Sequence, residues 1–224
     1  MIESLVFDFD GLILDTETTF QRSWEEIYAE YGVSVPGGAW ASWVGSAADP
    51  PEAYEYLERN LARPIDRRIL RERRLARERE LLKDRPAMPG VDALTADAQR
   101  RGLRLAIASS SENSWVSRHL RRLGLLDRFE AIASADDVTT TKPAPDLYRT
   151  ALARLGVRPE QAIAFEDSSH GVAAAVAAGL FCVAVPNRVT RYSAFDAADF
   201  VLQSLADCSL DEILRAAEAV YRHR

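Results

Sequence analysis

Lysine is almost missing from this chain. Lys83 and Lys142 are the two examples in 224 residues, and 26 of the 28 basic side chains are arginine. Any chemistry that needs an amine therefore has two candidates. Cysteine is as scarce: Cys182 and Cys208 are too few for a disulfide framework or a thiolate zinc site. Three scattered histidines give no basis for a histidine-centred site, and His170 reads as structural or peripheral. No apolar run approaches the roughly 20 residues that span a bilayer. A strand-like run begins within four residues of Met1, leaving no room for the charged region and cleavage site of a signal peptide. There is no basic excess either. The net charge of −6 argues against a surface that collects nucleic-acid phosphates. No membrane partner, no nucleic acid and a cytoplasmic location are the expectations. What is present is ordinary for a soluble globular protein, 47% hydrophobic and 28% charged residues. The length suits one large domain, or a core with a smaller insertion.

Short apolar runs alternate with segments of helical periodicity. Leu5 to Phe9, Leu103 to Ala108, Ala131 to Ala133, Ala162 to Phe165 and Phe181 to Val185 read as strands. Trp115 to Leu123, Pro145 to Leu155 and Val172 to Ala178 read as helices. Apolar runs with little alternation suit strands buried on both faces, and the strand–helix alternation implies a parallel sheet. Right-handed crossovers then place every strand's carboxyl end on one edge, where open α/β sheets bind ligands. Between Glu17 and about Arg85 no strand is evident. Helices are expected near Thr19 to Tyr31, Glu52 to Ala62 and Asp66 to Leu82, around a loop from Gly32 to Pro51. The expected fold is a Rossmann-like parallel sheet with helices on both faces (residues 1–15 and 87–224) plus an inserted all-helical domain (16–86). Within the insertion, Arg67 to Glu80 interleaves Arg and Glu with Ile69, Leu70, Leu75 and Leu81, which reads as a solvated amphipathic helix. Trp40 and Trp43 read as packing residues, with stacking on a ligand as the alternative.

Chemistry-bearing residues fall at the strand ends. The first strand runs into Phe7-Asp8-Phe9-Asp10-Gly11, followed by Asp15-Thr16. If extended geometry persists, Asp8 and Asp10 share a face, and two carboxylates forced together need a cation or a shared proton. Alone, Asp-Gly marks an acidic turn. The second strand ends in Ser109-Ser110-Ser111, with Ser111 or Asn113 expected to cap the next helix. Thr141-Lys142-Pro143-Ala144-Pro145-Asp146 follows, and the fourth strand ends Phe165-Glu166-Asp167-Ser168. Asp167 or Ser168 has the alternative reading of a helix cap.

Taken together and in this order, these motifs resemble the haloacid dehalogenase superfamily of phosphotransferases, in its β-phosphoglucomutase-like phosphatase branch with a helical cap. The resemblance covers essentially the whole chain. It implies a Mg²⁺-dependent phosphatase acting on a small phosphate monoester through a phospho-aspartyl intermediate. In that scheme Asp8, ionised at neutral pH, attacks phosphorus. Asp10 is the acid/base, kept protonated by its neighbour's charge. Lys142 with Ser109 and Ser110 binds the phosphoryl group. Asp8, Asp10 through its carbonyl, Asp167 and Glu166 hold the metal. A sugar-phosphate mutase is the alternative. The resembling mutases place a histidine early in the first cap helix and an arginine after the cap-loop glycine, where this chain has Phe20 and Gly45-Ser46-Ala47-Ala48-Asp49. Arg22 and Arg59 are the candidates to replace that grip. A dinucleotide-binding oxidoreductase would need a glycine-rich loop where Asp8 to Gly11 stands. A receiver-type phospho-aspartate module resembles a bare core and lacks an acid at the position of Asp10. A dehalogenase lacks that second acid too, and a phosphonatase needs a cap lysine, for which Lys83 at the cap's exit is the sole choice. A monomer or weak homodimer is expected.

Overall fold

The computed structural model describes residues 1–35, 43 and 49–222. The chain forms two compact units, one of Met1–Leu14 with Pro86–Arg224 and one of Asp15–Arg85. The expectations for Trp40 and for Gly45 to Ala48 fall outside the described residues. Among the described residues, no helix is long and apolar enough to cross a membrane.

The first unit is a parallel sheet with helices around it. Its strands are β1 (Ser4–Phe7), β2 (Arg104–Ala108), β3 (Ala131–Ala133), β4 (Ala162–Glu166), β5 (Phe181–Ala184) and β6 (Phe200–Val201), in the order β3-β2-β1-β4-β5-β6. Every pairing is parallel, with Phe7 in register with Ile107 on one side and Phe165 on the other. The alternation of side chains explains the packing. Val6, Ala106, Ala108, Ala164, Cys182 and Ala184 share a buried cluster with Leu147, Tyr148, Ala151, Val172 and Ala175. Those partners lie on two crossover helices, Asp146–Leu155 and Ser169–Ala177. Small residues on this face let the helix backbones approach closely. In β1, β2, β4 and β5 the odd-numbered positions are large, and Phe7 and Phe165 stack with centroids 4.7 Å apart. The strand order reverses at β1, so the carboxyl ends of β2, β1 and β4 lie side by side at the switch point.

Three elements of this unit were not anticipated. β6 is two residues long and has no apolar run to betray it. The helices Val91–Arg100 and Leu210–Tyr221 did carry signals, apolar spacing at Val91, Leu94 and Ala98 in one and a Ser209/Glu212 capping box in the other.

The second unit contains α1 (Thr16–Glu30), α2 (Pro51–Leu61) and α3 (Arg67–Leu82). Asp15 caps α1, accepting the Thr18 N–H at 3.1 Å. Trp24, Ile27, Tyr28, Trp43, Ala53, Leu57 and Leu70 form its core, and Trp43 is buried as packing predicts. α3 corrects the expected stripe. Its buried positions are Leu70, Arg74, Glu78 and Leu82, while Ile69 is 46% exposed. The mixed-sign run is therefore not wholly solvated. Arg74 is buried because it pairs with Asp49 (2.6 Å) and Glu78 (2.9 Å) and lies over the Phe20 and Trp24 rings.

Candidate active site

β1 ends at Phe7, and the Asp8 N–H still donates to the Phe165 carbonyl at 2.9 Å. That bond fixes Asp8 beside the end of β4, where Glu166 and Asp167 leave the sheet. Lys142 reaches this point from the segment before the helix Asp146–Leu155. Its ammonium sits 2.5 Å from Asp8 Oδ1 and 2.6 Å from Glu166 Oε1, with all three side chains almost completely buried. Tyr148, in the first turn of that helix, donates its hydroxyl to the same Glu166 oxygen at 2.5 Å. Glu166 is thus held at both sides of one oxygen, and it holds Lys142 against Asp8.

Asp167 is fixed separately. Asn187, just past β5, donates Nδ2 to Asp167 Oδ2 at 2.6 Å and to the Gly11 carbonyl at 3.3 Å. The Asn187 carbonyl oxygen accepts from the Val189 and Thr190 N–H groups, so the amide cannot turn over. Gly11 has φ +82, and a Cβ there would lie 2.2 Å from Asp167 Oδ2. A side chain at this position would fill the space that Asp167 occupies.

Asp10 goes elsewhere. β1 ends at Phe7, and the Asp10 carboxylate is held at the end of β2. It accepts from Ser111 Oγ at 2.7 Å, Ser109 Oγ at 3.3 Å and Trp115 Nε1 at 3.0 Å. This corrects the capping expectation for the helix Asn113–Arg122. Its N-cap is Glu112 with no side-chain bond, because the Ser111 hydroxyl is spent on Asp10 and the Asn113 N–H donates to Asp136. Ser110 is half-buried and takes no part in these contacts. Ser168 does cap its helix, accepting the Gly171 N–H at 3.1 Å. His170 is exposed.

The electrostatics differ from expectation at Asp8. Burial pushes its carboxyl up to about 8, against the pull of Lys142 and with the added push of Glu166 and Asp10. Burial alone would lower Lys142, but the carboxylates of Asp8 and Glu166 reverse that and hold the ammonium above its ordinary value. One ammonium does not neutralise this group, so an ionised Asp8 at neutral pH calls for more positive charge. Asp8, Glu166 and Asp167 each offer a carboxylate oxygen, all within 4.8 Å of one another. Hard oxygen donors, buried and short of positive charge, fit a divalent cation such as magnesium. The Asp10 side chain is not part of this cluster.

Gly171 makes the arrangement testable. A Cβ there would lie 1.9 Å from Glu166 Oε2. Gly171→Ala should gain about 1 kcal/mol of helix propensity but force Glu166 off Lys142 and Tyr148. A net loss of roughly 1–3 kcal/mol, with a large fall in turnover, is the expected result in melts and assays. A more stable, fully active variant would contradict the tight seat of Glu166.

Acids, an ammonium and hydroxyls thus meet at the switch point of a parallel sheet, the place where open α/β folds bind ligands. Residues 5–185 match the family described as haloacid dehalogenase-like hydrolase. The chain belongs to that family, and it is a phosphoric monoester hydrolase. It is 43% identical over 214 residues to YhcW of Bacillus subtilis (strain 168), whose phosphatase assignment is itself provisional; the match covers 96% of this chain and 97% of the relative. It is 36% identical over 181 residues to the fructose-1-phosphate phosphatase YqaB of Escherichia coli (strain K12), covering 81% and 95%. The crystal structure of CbbY from Rhodobacter sphaeroides in complex with phosphate aligns with a TM-score of 0.73 and 32% identity, over 94% of this chain and 98% of that one.

Tyr148, Asn187, Gly171 and Trp115 were not among the anticipated site residues. Asn187 had a usable signal, since it follows an apolar strand at the sheet edge where ligands bind. Tyr148 and Gly171 had none, because their role is defined by contact with Glu166.

Proposed function

We propose that the protein is a magnesium-dependent phosphatase for a small phosphorylated sugar or similar metabolite, working through a phospho-aspartyl intermediate on Asp8. The observation that carries this reading is Lys142 held between Asp8 and Glu166, with Asp167 in the same buried cluster. The named activity of the fructose-1-phosphate phosphatase supports the substrate class. Asp8 attacks phosphorus in line, the ester P–O bond breaks, and the alkoxide leaves. Asp10 gives that oxygen a proton and later takes one from the water that cleaves the acyl phosphate. Lys142 and Ser109 bind the phosphoryl oxygens and keep them in line. Asp8, Glu166 and Asp167 would hold magnesium, with the Asp10 main-chain carbonyl as a further oxygen, and the ion would supply the charge that lets a carboxylate approach a phosphate dianion.

Hydrolysis is favoured over transfer between sugars by the second unit. Phe20 has no acid/base group and packs under the Arg74 guanidinium at 4.9 Å. Arg22, one of the candidates for gripping a distal phosphate, is paired with Glu26 at 3.0 Å.

A panel of phosphate monoesters assayed with and without magnesium tests the reading. Phosphate release that disappears on chelation and returns with magnesium is expected. Release that survives exhaustive chelation would remove the metal, and no turnover of any monoester would remove the function. With β-glucose 1-phosphate and catalytic glucose 1,6-bisphosphate, free phosphate should outpace glucose 6-phosphate; the reverse would establish a mutase.

The raised Asp8 also sets a pH dependence. A folded-state value above the ordinary one means that the fold binds the extra proton, so this contribution is complete below about pH 4 and is lost as pH rises through about 8. Metal-free protein should therefore melt progressively lower across that window, and magnesium should raise Tm more at pH 8 than at pH 6. An equal magnesium shift at both pH values would count against Asp8 as a ligand.

A further inference from the structure

Asp10 is held by three donors, and one of them cannot stay. Each serine hydroxyl has a single proton. If Ser109 donates to a phosphoryl oxygen, it must release Asp10, to which it now donates at 3.3 Å. Ser111 at 2.7 Å and the Trp115 indole at 3.0 Å then remain, one on each carboxylate oxygen. The indole is the stiffer of the two. Its ring is braced edge-on by His119 with centroids 4.4 Å apart, and the Arg118 guanidinium covers it at 5.3 Å. His119 is buried, neither of its ring nitrogens has a hydrogen-bonding partner, and it also faces Phe9. Burial, with Arg118 and Arg122 nearby, lowers its pKa to about 4, so the brace is a neutral wall near neutral pH.

We propose that Trp115 is a positioning residue for Asp10, its indole N–H fixing the carboxylate while the leaving group is protonated. This rests on the acid/base reading of Asp10. An indole N–H donates but neither accepts nor ionises near neutral pH, so it orients the carboxylate without competing for the proton. A hydroxyl in the same place offers no such separation.

The test is a double-mutant cycle of Trp115→Phe and Asp10→Asn in the full chain with magnesium, on 4-nitrophenyl phosphate and on alkyl phosphates with poor leaving groups. Trp115→Phe keeps an aromatic ring in place but removes the pyrrole half of the indole together with its N–H. It should lower kcat on alkyl phosphates about tenfold and leave kcat on 4-nitrophenyl phosphate and both KM values within about twofold. In the Asp10→Asn background it should cost nothing further. Equal losses on both substrates, or additive losses in the cycle, would make Trp115 a packing residue and overturn the proposal. If Asp10→Asn itself lowers alkyl and aryl turnover equally, the acid/base reading falls and takes this inference with it. Should Trp115→Phe not fold, the indole N–H resonance decides. It should move in Asp10→Ala, and an unmoved resonance would overturn the contact.

Discussion

Replacing Asp8 by asparagine is expected to lower phosphate release about 10⁴-fold or more without unfolding the protein. The amide keeps the shape of the side chain but is neither a competent nucleophile nor a charged metal ligand. Stability should be unchanged or higher, because the substitution removes a carboxyl that burial, with Glu166 and Asp10, pushes upward. This combination separates a lost reaction from a damaged fold. The measurement pairs phosphate release with a quench of the wild-type enzyme during turnover, in which phosphate should be found on Asp8 and absent from the variant. Turnover near the wild-type rate in Asp8→Asn would end the phospho-aspartyl reading.

The second large effect belongs to Lys142, and it is a loss of stability as well as of activity. Lys142→Met removes the ammonium that faces Asp8 and Glu166 inside the sheet edge. Breaking a buried pair from one side costs roughly 3–5 kcal/mol, because the remaining charges stay desolvated. For a chain of this size that is on the order of 10 °C in Tm. Adding Asp8→Asn to Lys142→Met should recover part of the loss, and magnesium should recover part in the single variant. A Lys142→Met protein with an unchanged melting temperature would mean that the ammonium is not needed to keep Asp8 and Glu166 buried.

The parts of this molecule legible in advance were those governed by local pattern. Five strands were visible as apolar runs because parallel strands buried on both faces have no polar side to interrupt them. The acids, the lysine and the serines were visible because strand ends fall on one edge of such a sheet. The structure brings Asp8, Lys142, Glu166 and Asp167 together and sends the Asp10 carboxylate to Ser111 and Trp115. That divergence was not legible, since two residues of backbone past Phe7 decide it. The buried face of the helix Arg67–Leu82 was missed for a related reason. Arg74 looked like one more solvated charge until Asp49, far away in sequence, supplied its partner. The pKa of Asp8 depends on burial, which a strand-end aspartate does not announce.

The pairing at the base of the insertion has a consequence for how such a protein diversifies. Leu14 and Ala87 bridge to each other, and the Met88 N–H donates to the Ile13 carbonyl at 2.8 Å. The chain therefore leaves the sheet-bearing unit and rejoins it at one point, and Asp8, Lys142, Glu166 and Asp167 all belong to the sheet-bearing unit. Seen from that junction, everything from Asp15 to Arg85 is a single closed loop. Closing a loop becomes only about 0.6 kcal/mol harder with each doubling of its length. Natural variation or a designer's graft can exchange the insert for one much longer or shorter at little thermodynamic cost to the rest of the chain.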